Sequence, residues 1–368
     1  MLTIRDIFDA CNRKASQGHR VIGAHIGAPS HDPPLPVAKV LAEMGEVGRS
    51  YLPFTGMEEA KLAVTEFARR FLRREFRPES TFITNGGAQA LLISALTSHK
   101  LRKGKVLVPA PGFLQYFEHP VEFSYPIGTY DPLAEDLVNE IMEKVEGAAA
   151  VLINYPNNPT GHVPPNSVLR DLWDELRRKN ILLINDAAYS QIYYGDRVEI
   201  VGDVVVDTFS KTFGIPGMRI GYIHWGADGA ELAGRLIYLT TAGVSEVVQR
   251  LMVRMINAAS EEYFEGVRSH YRRIRDAVVR EARSSGLEFP EPGGAFYLYA
   301  RHPEIEDSEA LARSLLESDP VVGIVPATAF RGGREWFRIS FGKLKEDEIP
   351  ILFRMIGEIA SRIRRRGV

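Results

Sequence analysis

The chain has 368 residues, of which 45% are hydrophobic and 25% charged, and its formal net charge is −2. This is the composition of an ordinary globular protein of about two domains, and a net charge so close to zero gives no support for a nucleic-acid or membrane-surface partner. The one cysteine, Cys11, has no internal disulfide partner, and the sequence shows neither a bilayer-spanning apolar run nor a secretory signal. We therefore expect a cytoplasmic protein.

The N-terminal part of the chain mixes helices with loops. An amphipathic helix is predicted over residues 1–14, and an irregular segment rich in glycine and proline follows at 21–36. Apolar periodicity predicts further helices over Val37–Met44 and Glu58–Phe71, with a loop at Tyr51–Gly56 between them.

Short strands and helices alternate through the middle of the chain. Helices are predicted over Ala90–Leu96 and Asn166–Arg178. Strands are predicted over Thr81–Thr84, Val106–Pro109, Ala148–Asn154, Ile181–Ile184, Val204–Val206 and Ile220–His224. Short apolar strands that alternate with helices indicate a parallel sheet buried on both faces. Ligands of such sheets bind beyond the carboxyl ends of the strands, so those ends are where a functional site is expected.

The last third of the chain has a different character and predicts a second domain. An arginine-rich stretch, Val247–Arg283, is predicted to be one long connecting helix. The elements predicted after it are strands at Ala295–Tyr299, Gly323–Val325 and Trp336–Phe341 and helices at Ser308–Glu317 and Glu348–Arg365.

Glycines or an aromatic residue follow the first two predicted strands. Gly86, Gly87 and Ala88 begin a helix, so their backbone amides and the positive end of the helix dipole suit a phosphate, although a tight turn alone also needs glycines. Phe113 follows the next strand and has the flat face that stacks on a ring, although such a residue is more often part of the core.

Polar side chains follow the next two strands. Asn158 precedes a proline, which holds the chain extended and fixes the amide so that it can donate to a ring oxygen. Asp186 ends an aliphatic strand, where burial of a carboxylate is costly unless a cation such as a protonated ring nitrogen pairs with it. Tyr189 is placed to donate to the same ring. A helix-capping aspartate beside a core tyrosine is the simpler explanation of this last pair.

The stretch 207–221 carries a lysine among anion donors. Lys211 lies close to Thr208, Ser210 and Arg219, and a lysine near another cation is typical of an amine that reacts with a carbonyl compound. Arg338, in the second predicted domain, has a fork that suits a carboxylate. Each feature has a structural explanation by itself. Together they describe one ligand with a cationic ring, a ring oxygen, an aldehyde and a phosphate, which is pyridoxal 5′-phosphate (PLP).

With these motifs the sequence resembles the class I/II aminotransferases of the aspartate-aminotransferase type, which have PLP fold type I. The resemblance covers about residues 23–338 and rests on Asn-Pro-Thr-Gly at 158–161, Asp-x-x-Tyr at 186–189 and Ser-Lys…Gly-x-Arg-x-Gly at 210–221. It implies an α/β fold. A large domain (36–250) would hold a mostly parallel seven-stranded sheet between helices, and a smaller α+β domain (1–35 and 251–368) would close over the substrate.

The resemblance also implies a role for each site residue. Lys211 would form a Schiff base with PLP and move the proton, with Asp186 at the pyridine nitrogen and Tyr189 at the ring oxygen beside Asn158. Phe113 would stack on the ring. The phosphate would be held by Gly86, Gly87, Ala88, Thr208, Ser210, Arg219 and, across the interface of a homodimer with shared active sites, Tyr51. The substrate carboxylate would be received by Gly27, Asn158 and Arg338.

The implied activity is a ping-pong transfer of an amino group between an L-amino acid and a 2-oxo acid. We expect either a broad range of amino donors or a neutral or aromatic donor, with 2-oxoglutarate as acceptor. Groups that read the substrate side chain are expected in the loop 28–34, in the loop 241–246 of the partner subunit and in the loop 326–331, which includes Arg331. His25 and His31 lie nearby in the sequence. The same scaffold leaves a carbon–sulfur β-lyase, an amino-acid decarboxylase and a cyclopropane-carboxylate synthase open. A PLP-sensing regulator is disfavoured, because the segment before the resemblance is too short for a DNA-binding domain. No metal site is expected.

Overall fold

A computed structural model describes residues 2–366; Met1 and residues 367–368, which the predicted small domain includes, lie outside the described residues. The helices are α1 Ile4–Ser16, α2 Val37–Ala42, α3 Glu58–Phe67, α4 Gly86–Arg102, α5 Gln115–Phe123, α6 Leu137–Met142, α7 Asn166–Arg178, α8 Phe209–Thr212, α9 Ala230–Thr241, α10 Glu246–Ala258, α11 Glu261–Ser284, α12 Ser308–Leu316 and α13 Ile349–Arg366. The strands are β1 Val21–Gly23, β2 Thr81–Thr84, β3 Lys105–Pro109, β4 Ile127–Tyr130, β5 Ala148–Ile153, β6 Leu182–Asp186, β7 Val204–Thr208, β8 Gly221–Trp225, β9 Tyr297–Arg301, β10 Val321–Gly323, β11 Val325–Pro326 and β12 Trp336–Ser340.

Seven strands form the central sheet in the order β2-β8-β7-β6-β5-β3-β4. All pairs are parallel except the two made by β8, which runs antiparallel to β2 and β7. Strands β5, β6 and β7 are apolar along most of their length, and hydrophobic clusters cover both faces of the sheet. The predicted α/β fold with a mostly parallel sheet is confirmed. Its parallel arrangement places the carboxyl ends of β2, β3, β5, β6 and β7 at one edge.

A second structural unit joins the two ends of the chain. Strands β11, β12 and β9 form an antiparallel sheet, and β1 pairs in parallel with β10, with Val21 opposite Val321. Helices α1, α11, α12 and α13 contribute to the same hydrophobic cluster as these strands. Residue 250 lies inside α10, where Leu251 and Met255 pack in one core with Val64 of α3. The predicted domain limits at 36 and 250 stay a prediction.

Several local predictions need correction. The single helix predicted over Val247–Arg283 is two helices, because Ala259 is extended and the Ser260 hydroxyl caps α11 by accepting a hydrogen bond from the amide of Tyr263 at 3.1 Å. The helix predicted over Glu58–Phe71 ends at Phe67 and continues as a π-helical turn. Helices α5, α6, α8 and α9 and strands β1 and β4 were not predicted. The single strand predicted over Gly323–Val325 is two strands, β10 and β11, which belong to different sheets. Among the described residues, no helix combines the length and the apolar character needed to cross a membrane.

Candidate active site

A cavity of about 290 Å³ lies where loops from the carboxyl edge of the large sheet meet the second structural unit. Most of the predicted site residues line it, namely Gly27, Gly87, Ala88, Phe113, Asn158, Asp186, Tyr189, Thr208, Ser210, Lys211, Arg219 and Arg338. Five different strand-end segments and the second unit contribute, so residues far apart in the sequence form one site.

Lys211 lies on α8, a one-turn helix that directly follows β7. The helix begins at Thr208, whose hydroxyl accepts a hydrogen bond from the amide of Ser210 at 3.3 Å. The Lys211 ammonium donates to the carbonyl oxygen of Gly27 at 2.5 Å. Burial, together with the charges of Arg338 and Arg219, lowers the pKa of Lys211 to about 8. About a tenth of the amine is therefore neutral at pH 7, far more than for a lysine of ordinary pKa.

Anion donors converge beside Lys211. The Thr208 and Ser210 hydroxyls lie 3.0 Å apart, and a guanidinium nitrogen of Arg219 lies 3.5 Å from the Ser210 hydroxyl. A Cβ atom added at Gly86, where φ is +79°, would lie 2.7 Å from the Arg219 guanidinium, and one at Gly87 would lie 3.3 Å from Thr208. Glycines therefore leave room between the start of α4 and these donors. Two hydroxyls, a guanidinium and a helix N-terminus form a donor set that fits a phosphate.

Asp186 is a buried carboxyl group at the end of β6 and is 5% exposed. It accepts hydrogen bonds from the Tyr116 hydroxyl at 2.6 Å and from the amide of Ala188 at 3.2 Å, and among the described residues it has no salt bridge. Burial raises the pKa of Asp186 to about 6, although both hydrogen bonds act to lower it. A cationic ring nitrogen in the cavity would supply its missing counter-charge. Tyr116 was not predicted; its signal was the three-residue spacing from Phe113.

The Asn158 side chain connects the two structural units. Its amide oxygen accepts a hydrogen bond from Arg338 at 3.0 Å. Its backbone amide donates to the side chain of Asn154 at 2.9 Å, and the Asn154 side chain in turn donates to the carbonyl oxygen of Asp186 at 2.9 Å. Asn154 was also not predicted as a site residue, and its position directly after β5 was the available signal.

Arg338 is 3% exposed and is held rigidly. Its two terminal nitrogens donate to the Asn158 side chain and to the carbonyl oxygen of His25, the latter at 2.6 Å. The guanidinium carbon lies 4.6 Å from the ring centroids of both Tyr297 and Phe330. Its Nε is buried and has no hydrogen-bond partner. A fixed guanidinium with unused donors beside a cavity fits a carboxylate ligand.

Five of the predicted residues do not line this cavity, and one of them, Gly86, adjoins it beside the Arg219 guanidinium. Tyr51 is fully exposed on the surface. Arg331 lies 5.8 Å from the ring centroid of Phe117 and lines a separate surface pocket. His31 lines another pocket, and His25 contributes to the site through its carbonyl oxygen. The predicted role of Tyr51 in a partner's site stays a prediction.

Comparisons with known proteins identify the family. The family model described as "Aminotransferase class I and II" matches residues 20–356. The chain belongs to this family. It is 29% identical to an aspartate aminotransferase of Pyrococcus horikoshii, over 96% of this chain and 93% of that protein. It is 30% identical to an LL-diaminopimelate aminotransferase of Desulforudis audaxviator, over 89% of this chain and 87% of that protein.

Solved structures agree with this assignment. A single mutant of Thermus thermophilus aspartate aminotransferase matches with a TM-score of 0.86 and 25% sequence identity, over 98% of this chain and 96% of that one. The protein is thus an aminotransferase that uses PLP, which confirms the predicted activity and cofactor. The phosphate donors beside Gly87 and the unpaired carboxyl group of Asp186 fit this cofactor.

Proposed function

We propose that Lys211 is the amine of this aminotransferase that binds the cofactor aldehyde covalently, with loss of water. The observation that carries this proposal is that the buried Lys211 amine shares one cavity with the guanidinium groups of Arg219 and Arg338, whose charges act on it. Bound PLP supplies an electron sink that stabilises the carbanion formed when the substrate loses its Cα proton. Once displaced by the substrate, the Lys211 amine accepts that proton and returns it, which suits an amine with a lowered pKa.

The cofactor would be oriented by residues at five strand ends. Asp186 would keep the pyridine nitrogen protonated, Tyr189 and Asn158 would bind the ring oxygen, and Phe113 would stack on the ring. The phosphate would be held by Thr208, Ser210, Arg219 and the amides of Gly86, Gly87 and Ala88. The buried carboxyl group of Asp186 and the convergence of donors on Ser210 support these roles.

The substrates are an amino acid and a 2-oxo acid that present a carboxylate to Arg338 and Gly27. We propose a neutral or aromatic amino donor, with 2-oxoglutarate as acceptor. The cations that line the cavity are Lys211, Arg219 and Arg338, and each has a role already. Ile4 of α1 adds an apolar contact to the lining. We also propose that the unit formed by the chain ends, residues 1–35 and 251–368, closes over the bound substrate. The expected cytoplasmic location stays a prediction.

A Lys211→Ala variant tests the central role. We expect it to bind PLP through the phosphate donors while both half-reactions fall by at least about a thousandfold, because the proton carrier is gone. The control is Lys343→Ala, which removes an exposed cation that also acts on the Lys211 amine. Single-turnover spectra with a panel of amino donors measure the first half-reaction and rank the donors. Full turnover by Lys211→Ala would refute the assignment.

We propose a homodimer in which Tyr51 completes the partner's site. Tyr51 is fully exposed, and Phe54, Leu62, Tyr238 and Leu239 are also exposed apolar residues. The test mixes two inactive variants, Tyr51→Ala and Lys211→Ala. If the sites are shared, a hybrid dimer has one site with both defects and one with neither, so activity returns. A hybrid dimer without activity, or an active monomer, would contradict the proposal.

A further inference from the structure

A buried tyrosine pair joins the two structural units at the cavity. Tyr189 follows β6 of the large sheet, and Tyr297 is the first residue of β9 in the second unit. Their hydroxyl oxygens lie 2.6 Å apart, and their rings meet edge to face at 5.5 Å. The side chains are 5% and 1% exposed. Both line the cavity, although the sequence motifs single out Tyr189 alone.

Either hydroxyl can donate in this pair, and the other partner of Tyr189 decides which one does. Burial raises the pKa of both tyrosines, that of Tyr189 well above its ordinary value, so each phenol keeps its one proton. The guanidinium of Arg338 lies over the Tyr297 ring and can only donate. Among the recorded hydrogen bonds of residues 2–366, the Tyr297 hydroxyl has Tyr189 as its one partner. If Tyr189 points its own proton into the cavity, the bond between the two oxygens must be donated by Tyr297.

The close approach of Gly27 restricts Tyr297 further. A Cβ atom added at Gly27 would lie 2.3 Å from the Tyr297 hydroxyl oxygen. The backbone that receives the Lys211 amine therefore abuts this hydroxyl and leaves it little room to turn elsewhere.

This inference rests on the proposed contact of Tyr189 with the cofactor's ring oxygen. We propose that Tyr297 is a positioning residue that donates a hydrogen bond to the Tyr189 hydroxyl and thereby strengthens the bond that Tyr189 donates to that ring oxygen. Hydrogen bonds in such a chain polarise one another. With the cofactor bound to Lys211, one proton would be shared between the ring oxygen and the Lys211 nitrogen. A stronger donor to the ring oxygen withdraws electron density from it, so the oxygen would hold this proton less tightly. Loss of the Tyr297 hydroxyl should therefore raise the pH at which that proton leaves.

Other charged or titratable groups face this pair from every element packed around it, so they must stay unchanged in the test. They are Arg338 of β12, Asp186 of β6, Tyr116 of α5 and Tyr271 of α11, together with Lys211 of α8, which lines the same cavity. Variants that remove only one phenol oxygen leave all of them in place.

The experiment is a spectroscopic pH titration of the holoenzyme, in which the midpoint of the change in the visible cofactor band is read without turnover. We expect Tyr297→Phe to raise this midpoint by about half a unit and Tyr189→Phe to raise it by more. The control is Tyr299→Phe on the same strand, whose ring stacks on Trp336 at 4.9 Å outside the cavity and which should leave the midpoint unchanged. In the double variant, Tyr297→Phe should add nothing to the shift of Tyr189→Phe.

The outcomes separate the two proposals. An unmoved midpoint in Tyr189→Phe refutes the proposed cofactor contact itself. A shift in Tyr189→Phe with none in Tyr297→Phe overturns the relay alone, as does an equal effect of Tyr297→Phe with and without the Tyr189 hydroxyl. Replacement of Tyr297 by 3-fluorotyrosine, a more acidic phenol, should lower the midpoint. This opposite sign keeps the test decisive if Tyr297→Phe folds poorly.

Discussion

Replacement of Arg338 by lysine tests how the site reads a carboxylate. A guanidinium has five N–H donors, and Arg338 uses two nitrogens for Asn158 and the His25 carbonyl, which leaves donors such as its unpartnered Nε for the substrate. An ammonium has three donors, so a lysine that keeps both structural bonds has one left. The substrate thus loses about one charged hydrogen bond, worth about 1.5–3 kcal/mol. This corresponds to a fall of roughly 10- to 150-fold in kcat/KM.

The assay compares two substrates in the first half-reaction, namely a good amino donor and the amine that lacks only its carboxylate. Arg338→Lys should lower kcat/KM for the amino acid by this factor and leave kcat/KM for the amine, which reacts more slowly, unchanged. Arg331→Lys, outside the cavity, is the matched control for the arginine-to-lysine change. Cofactor content and thermal unfolding must be recorded, because the substituted position is buried. If both substrates slow equally, Arg338 supports the site without reading the carboxylate, and the reasoning fails.

Three further predictions follow from the same cavity. The rate of covalent capture of PLP by the apoenzyme should rise about tenfold per pH unit below pH 8 and level off above it, because the Lys211 amine is mostly neutral only above its lowered pKa of about 8. The control is pyridoxine 5′-phosphate, which lacks the aldehyde and should bind without this pH dependence. Asp186→Asn should keep the cofactor but slow proton removal roughly a hundredfold or more, since the buried charge partner of the ring is lost; stopped-flow spectra measure this, and an unchanged rate contradicts the pairing. Gly27→Ala should cost about 1–3 kcal/mol of stability in thermal unfolding, because its Cβ would lie 2.3 Å from the Tyr297 hydroxyl, whereas Gly266→Ala, with open space around it, should cost nothing.

Strands that are apolar and buried on both faces could be predicted from the sequence. β5, β6 and β7 read as short aliphatic runs with a polar residue at the carboxyl end, and that end is where Asn154, Asp186 and Thr208 lie. β1 could not be predicted, because its partner β10 lies 300 residues away in the chain and its three residues adjoin a glycine- and proline-rich segment. α5 was obscured by Pro120 inside the helix.

The site residues that were missed share one property: their partners come from elsewhere in the fold. Tyr116 reaches Asp186 across 70 positions of sequence, and Tyr297 reaches Tyr189 across 108. The spacing of Tyr116 from Phe113 was a weak local signal, but the contacts of both tyrosines depend on how two distant elements pack. Lys211 and Arg219 could be predicted because they lie in one short segment, whose donors converge on the same part of the cavity.

The unpaired carboxyl group of Asp186 also bears on how the polypeptide survives in a cell. Without a charge partner among the described residues, Asp186 makes burial of this strand end unfavourable until a cation arrives. A cofactor that binds only the folded chain stabilises it in proportion to the logarithm of the cofactor concentration. The amount of intact enzyme in a cell should then follow the supply of the cofactor. When the cofactor is scarce, newly made chains should be degraded faster than chains that carry it.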